Sequence, residues 1–152
     1  QEINQLNVSS TRIRKAIDEG DIKTANEFLG YRFFISGTVV KGKQLGRTIG
    51  YPTANIFIED KDKLTPKIGV YAVNVEVKGI AYKGMLNIGT NPTTDLDNTI
   101  KIEVNIFDFD KDIYGEEIKV EFLKRIRNEE KFANLDELKQ ALANDKIACS
   151  HV

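Results

Sequence analysis

The spacing of apolar residues predicts two short helices at the start of the chain. Up to residue 30, apolar side chains recur three and four residues apart, as on one face of a helix. Ser9 or Ser10 can cap the first helix and Gly20 can end it, while Asp21 can cap the second and Gly30 can end it. Residues 9–29 are therefore expected to be helical.

From residue 31 onward the apolar positions alternate with polar ones, which is the period of a strand. A first strand is marked by Phe33, Ile35 and Val39, and others are predicted near 69–77, 81–88, 99–108 and 117–124. Strands separated by turns, with few helices between them, favour an antiparallel barrel. Asn134 then begins a closing amphipathic helix, with Glu137 placed for a capping-box-like start.

Composition limits the classes of protein that fit. A chain of 152 residues with a net charge of −1 is long enough for one domain with a core, and it lacks the broad positive charge of nucleic-acid-binding domains. Its single cysteine, Cys149, excludes an internal disulfide and fits a cytoplasmic location. The single histidine, His151, excludes a histidine-based triad or zinc site within the chain. No apolar stretch is long enough for a bilayer span or a signal region, and the start at Gln1 suggests a fragment.

A basic, glycine-rich segment at 37–55 ends in Pro-Thr-Ala-Asn. Glycine allows positive φ and close approach to a ligand, and lysine and arginine pair with phosphate oxygens. Thr53 and Asn55 carry hard oxygen donors suited to Mg²⁺, and alternation along an extended chain puts them on one face. The segment is neither a Walker loop nor a dinucleotide fingerprint. It predicts a site for phosphates and a metal, with an ordinary turn as the alternative.

The stretch from Gly46 to Asn55, Gly-Arg-Thr-Ile-Gly-Tyr-Pro-Thr-Ala-Asn, resembles the signature of the riboflavin kinase (flavokinase) family. Segments at 87–93, 102–109, 112–115 and 120–132 resemble that family in the same order, so the likeness covers roughly residues 31–145. The resemblance implies a mainly β fold, an antiparallel Greek-key barrel with a C-terminal helix and a short N-terminal helical segment. In bacteria such a module usually forms the C-terminal half of a bifunctional riboflavin kinase/FMN adenylyltransferase.

The implied activity is transfer of the γ-phosphoryl group of ATP to the 5′-hydroxyl of riboflavin, giving FMN and ADP with the help of Mg²⁺. In the family a glutamate acts as general base, and Glu103 matches it. Its alternation with Ile102 and Val104 places it on the face opposite to the aliphatic residues. The alternative is an ordinary solvent-facing glutamate. Asn105 departs from the histidine that many relatives carry two residues after the base, which could alter how the base is tuned.

The resemblance also implies ligand contacts. Thr53 and Asn55 are expected to bind Mg²⁺, and Arg127, Glu130 and Phe132 are expected to bind the flavin, although Phe132 also fits a core aromatic beneath the last helix. The residues expected to line the nucleotide loop are Gly42, Lys43, Gly46, Arg47, Gly50, Tyr51 and Pro52. Residues 95–98 are expected to form a mobile loop over the site.

Residues 1–30 are expected to be a helical remnant of the adenylyltransferase half, and 31–152 the kinase barrel. Arg12 and Arg14 then form a solvated helix face here and contact nucleotide in the intact parent, which also converts FMN to FAD. Two alternatives remain: a non-catalytic flavin- or nucleotide-binding barrel, and an oligonucleotide-binding barrel, which the near-neutral charge disfavours. No membrane or nucleic-acid partner is expected.

Overall fold

The structure is a computed structural model that describes residues 2–40, 53–59, 63–90, 100–109 and 111–152, with side chains from residue 10 onward. The described helices are α1 (Glu2–Glu19), α2 (Ile22–Leu29) and α3 (Leu135–Ser150). The described strands are β1 (Phe34–Val40), β2 (Ala54–Phe57), β3 (Gly69–Val77), β4 (Ile80–Thr90), β5 (Ile100–Ile106) and β6 (Glu117–Arg127). None of these helices is long and apolar enough to cross a lipid bilayer.

The six described strands close into a barrel in the order β1-β2-β5-β4-β3-β6, and every neighbouring pair is antiparallel. β3, β4 and β5 follow one another as a meander, and β6 returns to lie beside β3, which is the Greek-key arrangement. The predicted antiparallel Greek-key barrel is therefore confirmed.

Alternate residues of each strand fill the barrel interior, as the period of two requires. Tyr71 and Phe122 are the largest fully buried side chains, and their rings meet edge to face with centroids 5.2 Å apart. The other interior residues are aliphatic: Ile35, Val39, Ile56, Val73, Val75, Val77, Leu86, Ile88, Ile102, Val104, Ile106, Ile118 and Val120. Outward-facing residues of the same strands are therefore free to form a site.

The structure corrects the start of α1 and adds one strand to those predicted. α1 begins at Glu2, so Ser9 and Ser10 lie inside the helix and neither caps it. β2 was not predicted as a strand because only four residues pair and periodicity needs a longer run to be visible. The predicted ends at Gly20 and Gly30 are confirmed, as both adopt the left-handed conformation, and Asp21 caps α2 by accepting a hydrogen bond from the Thr24 amide.

The α1–α2 hairpin packs against one end of the barrel. Ile17, Ile22 and Ala25 are fully buried and belong to the same hydrophobic cluster as the barrel interior. The side chain of Asn26 joins the hairpin to the barrel: it accepts a hydrogen bond from the Phe33 amide at 2.7 Å and donates one to the Phe122 carbonyl at 3.1 Å. Asn26 therefore satisfies two backbone groups that would otherwise lose their partners.

Replacing Asn26 by alanine is expected to lower the free energy of unfolding by about 2–4 kcal/mol. Two backbone groups would lose their partner, and each costs about 1–3 kcal/mol when fully buried; the lower part of the range applies because both bonds are only partly buried. Urea denaturation followed by circular dichroism measures this loss. Glu27→Ala, one residue further along the same helix at an exposed position, is the matched control and should stay within about 0.5 kcal/mol of the wild type. Equal losses for the two variants would show that Asn26 has no special role.

α3 covers part of the outer surface of the barrel. Cys149 packs there against Ala72, Met85 and Phe107, in a second cluster separate from the interior. The N-terminus of the helix follows the prediction, since Asn134 accepts a hydrogen bond from the Glu137 amide and Glu137 accepts one from the Ala133 amide. Leu135, the first residue of this helix, is 52% exposed, so its side chain does not pack on the barrel.

The thiol of Cys149 is expected to be inert in the folded protein. Burial, and to a smaller extent the charge of Asp145, raises the pKa of Cys149 to about 12, so on the order of one thiol in 10⁴ is ionised at pH 8. Reaction with Ellman's reagent at pH 8 should therefore be slow in buffer and complete within minutes in concentrated urea. Labelling in buffer at the rate of a free cysteine would contradict this burial.

Candidate active site

Three polar side chains lie side by side across the outer surface of the barrel. Glu103 in the middle of β5 is in register with Asn55 of β2 on one side and with Asn87 of β4 on the other. Directly opposed residues of antiparallel strands have Cβ atoms about 4.5–5.5 Å apart. All three are half-buried. We call Asn55, Glu103 and Asn87 the amide–carboxylate row.

The face of Glu103 was predicted correctly from the alternation of β5. Ile102 and Val104 on either side are buried in the barrel interior, so the carboxylate between them points outward. Within the described part of the chain, the side chain of Glu103 forms no hydrogen bond or ion pair, although its backbone is paired with β2 and β4. An outward carboxylate between two neutral amides is available to accept a proton from a ligand.

Thr53 lies beside a cavity of about 510 Å³ at the mouth of the barrel. Its walls combine aliphatic, aromatic and charged side chains: Val39, Ala54, Val104, Ile106, Phe109, Lys111, Asp112, Ile113 and Tyr114. Asp112 accepts a hydrogen bond from the Tyr114 amide, which shapes the turn that ends at Gly115. Because Thr53 stands two residues before Asn55, it connects this cavity to the amide–carboxylate row.

Two oxygen donors of this region suit a hard cation. The hydroxyl of Thr53 and the amide carbonyl of Asn55 are neutral ligands of the kind that Mg²⁺ accepts when water and phosphate complete the shell. No group of three or more His, Cys, Asp or Glu side chains in the described ranges is placed to hold a metal. A cation at this corner would therefore depend on Thr53, Asn55 and the phosphates of a ligand.

The chain after β6 turns back across the outer surface near the row. A Cβ placed on Gly89, two residues after Asn87 in β4, would overlap the carboxylate of Glu129. Glu129 thus lies directly over this strand, and a larger residue at position 89 would require the flexible end of the Glu129 side chain to move. The segment at 128–132 therefore forms a wall beside the amide–carboxylate row.

Arg127, at the end of β6, fixes this wall to α3. Its guanidinium donates two hydrogen bonds to the carboxylate of Asp145, at 2.9 Å from Nε and 2.8 Å from Nη2, and a third to the carbonyl of Asn128. The bond to Asp145 raises the pKa of Arg127 above its usual value. The same guanidinium lies 5.7 Å from the ring centroid of Phe132. Asp145 is 4% exposed, whereas the Arg127 side chain keeps 21% of its exposure, so the carboxylate is buried and the guanidinium is partly buried.

The predicted site residues fall into three groups. Thr53, Asn55 and Glu103 come together where the start of β2 lies beside the middle of β5. Arg127 and Phe132 contact each other at the neighbouring wall, where Glu130 is exposed, and a flavin contact by any of them stays a prediction. The third group, with the loop at 95–98, lies outside the described residues: Gly42, Lys43, Gly46, Arg47, Gly50, Tyr51 and Pro52.

Sequence reasoning missed three side chains that shape this region. Asn87 was noticed only as part of a motif, yet it pairs with Glu103. Glu129 and Asp145 were not singled out, because a glutamate after a strand and an aspartate on a helix usually face solvent. The sequence offered one indication that Asp145 is buried: it lies four residues before Cys149 and therefore on the same, mostly apolar, face of the helix.

Comparison with known proteins gives the family. A family model for riboflavin kinase (flavokinase) matches residues 29–152. The bifunctional riboflavin kinase/FMN adenylyltransferase of Bacillus subtilis (strain 168) is 45% identical over 141 residues, which are 91% of this chain and 44% of the relative. The chain spans about half the length of the curated relatives it matches.

Two solved structures resemble the fold. A protein from Streptococcus pneumoniae described as a macrolide-efflux protein has a TM-score of 0.88 and 43% identity, covering 94% of this chain and 46% of that one. Riboflavin kinase from Trypanosoma brucei has a TM-score of 0.55 and 25% identity, covering 78% of this chain and 77% of that one.

Fold and site together define a Greek-key barrel whose outer surface carries a carboxylate with an amide side chain on the neighbouring strand on each side. The family match covers all six described strands and the C-terminal helix that packs on them. The chain belongs to the riboflavin kinase family. The family predicted from the sequence motifs is therefore confirmed.

Proposed function

We propose that this chain transfers the γ-phosphoryl group of ATP to the 5′-hydroxyl of riboflavin, giving FMN and ADP. The main support is the register of β2 and β5, which sets the carboxylate of Glu103 directly beside Asn55. Phosphoryl transfer requires a positioned phosphate chain, a cation and a group that takes the proton of the attacking alcohol. Riboflavin kinases use ATP and riboflavin, in agreement with this chemistry.

Glu103 is proposed to accept the proton of the 5′-hydroxyl as its oxygen attacks the γ-phosphorus. The bond from phosphorus to the β–γ bridging oxygen breaks, and ADP leaves with that electron pair. Thr53 and Asn55 are proposed to hold Mg²⁺, which when bound neutralises charge on the phosphate oxygens. Asn105, at the position where many relatives carry histidine, is buried in the same strand and pairs with Met85.

ATP is proposed to bind at the mouth of the barrel. The cavity next to Thr53 is the size of a small-ligand pocket and carries aromatic side chains, Phe109 and Tyr114, against which a flat purine can pack. From this cavity the phosphates would extend past Thr53 toward Glu103. The glycine-rich loop, with Lys43 and Arg47, is proposed to hold the phosphates.

Riboflavin is proposed to approach from the other side of Glu103, along the wall at 128–132. Phe132 is half-buried and could offer a face to the isoalloxazine ring, while Glu130 is exposed beside it. Arg127 is already engaged with Asp145, so its proposed part in flavin binding is to hold Phe132 in place. In the longer parent a second domain would convert FMN to FAD, as the names of the bifunctional relatives indicate. The cytoplasm is the proposed location.

An assay of the purified chain with riboflavin, ATP and MgCl₂ tests this proposal. FMN separated by chromatography and ADP measured by a coupled enzyme should appear in equal amounts, and excess EDTA should stop both. Flavin fluorescence titration run alongside identifies the alternative function. Tight riboflavin binding without FMN formation would contradict the kinase proposal and favour a non-catalytic flavin-binding barrel.

A further inference from the structure

We propose that Asn87 binds the polyol chain of the substrate beside the attacking hydroxyl, an inference that rests on the proposed function. Asn87 lies opposite Glu103 in the β4–β5 ladder, on the side away from Asn55. A substrate whose terminal hydroxyl reaches Glu103 must place its remaining chain against a neighbouring residue of the row. Since Asn55 lies on the side proposed for the metal and phosphates, Asn87 is the neighbour left for the polyol.

The polar atoms of Asn87 indicate a ligand. Its Oδ1 is buried and has no hydrogen-bond partner among the described residues, although the residue as a whole is half-buried rather than enclosed. A buried acceptor left without a donor costs about 1–3 kcal/mol. The hydroxyl groups of a ribityl chain are donors as well as acceptors. Binding of such a chain would supply the missing hydrogen bond.

The amide can reach a ligand without movement of the backbone. The terminal torsion of asparagine is broad and roughly two-fold, so Oδ1 can turn toward a hydroxyl outside the strand. The backbone of Asn87 is held on both sides, by pairing with Glu103 of β5 and with Val70 of β3. The backbone of Asn87 is therefore fixed on the strand next to the proposed base, and only the side-chain amide has to rotate to reach a ligand.

Two substrates separate this contact from a structural role. Riboflavin carries three hydroxyl groups besides the one that reacts, whereas an isoalloxazine with a 5-hydroxypentyl chain keeps only the terminal hydroxyl. Asn87→Leu, which is nearly isosteric, is expected to lower kcat/KM for riboflavin about tenfold, mainly through KM. For the hydroxypentyl analogue the same substitution should change kcat/KM less than twofold.

Asn74→Leu is the matched control, because Asn74 is a half-buried outward residue of β3 that pairs with Lys83 and Glu121, away from the row. It should leave kcat/KM for both substrates unchanged. Asn87→Ser serves as a second variant if the leucine variant unfolds, as judged by circular dichroism. The wild type alone also tests the proposal, since it should prefer riboflavin to the analogue at least tenfold.

Equal losses on both substrates in the Asn87 variants, or a wild type that treats the two substrates alike, would overturn the contact. Failure of the proposed function looks different, because the wild type would then form no FMN at all. In that case fluorescence titration of the two flavins measures the contact directly: a tenfold weaker affinity of Asn87→Leu for riboflavin alone supports it, and unchanged affinity refutes it.

Discussion

Replacing Glu103 by glutamine is expected to lower kcat for riboflavin phosphorylation by about 10²–10⁴-fold, the usual contribution of a general base. Glutamine keeps the size of the side chain and its place between Asn55 and Asn87, but its amide cannot take up the proton of the attacking hydroxyl. Because binding needs no proton transfer, KM for ATP and riboflavin should change less than threefold. Initial rates of ADP release measure the effect.

Glu76→Gln is the matched control, as Glu76 is an exposed outward glutamate of β3. Its turnover should equal that of the wild type. Raising the pH should not rescue Glu103→Gln, since the missing group has no ionisation to recover. If Glu103→Gln and Glu76→Gln turn over alike, the base has been assigned to the wrong residue.

Replacing Asp145 by alanine is expected to lower the free energy of unfolding by about 3 kcal/mol. Loss of one partner of a buried ion pair costs about 3–5 kcal/mol, and the lower value applies because the Arg127 side chain keeps 21% of its exposure to water. The loss also frees the segment at 128–132 from α3, so the dissociation constant for riboflavin should rise as well. Urea denaturation and flavin titration provide the two measurements.

Asn144→Ala, at the exposed position just before Asp145, is the matched control and should cost less than about 0.5 kcal/mol. A double variant, Arg127→Met with Asp145→Leu, should recover most of the stability, because two apolar side chains leave no buried charge unpaired. An unchanged free energy of unfolding in Asp145→Ala would show that the Arg127–Asp145 pair does not stabilise the fold.

The barrel could be predicted because most of its strands are long and half-buried. The nine residues of β3 alternate between the interior and the outside, and the strand, Gly69–Val77, spans the predicted range 69–77. β2 has only four residues, so it gave no period of its own. α1 was predicted too short because its first residues carry mixed polar and apolar side chains without a clear stripe.

The candidate site was predictable only in part. The side of a strand that a residue faces follows from its immediate neighbours in the sequence, whereas the residues beside it on adjacent strands do not. The alternation of apolar and polar residues around Glu103 was enough to predict that its carboxylate faces outward. Its position beside Asn55 and Asn87 depends on the register of two ladders, which no periodicity reports. The burial of Asp145 likewise depends on Arg127, which is 18 residues away and on a different element. The nucleotide-loop residues stay predictions.

The α1–α2 hairpin determines where a fragment of this protein should begin if the barrel is to be expressed on its own. The family match starts at residue 29, and a construction that kept only the matched part would remove Ile17, Ile22 and Ala25 from beneath the barrel. Without these residues, the rings of Phe33 and Phe122 would be exposed to solvent at the end of the barrel that the hairpin covers, which would promote aggregation. The natural unit for expression or for transplanting the barrel into another polypeptide therefore includes both helices.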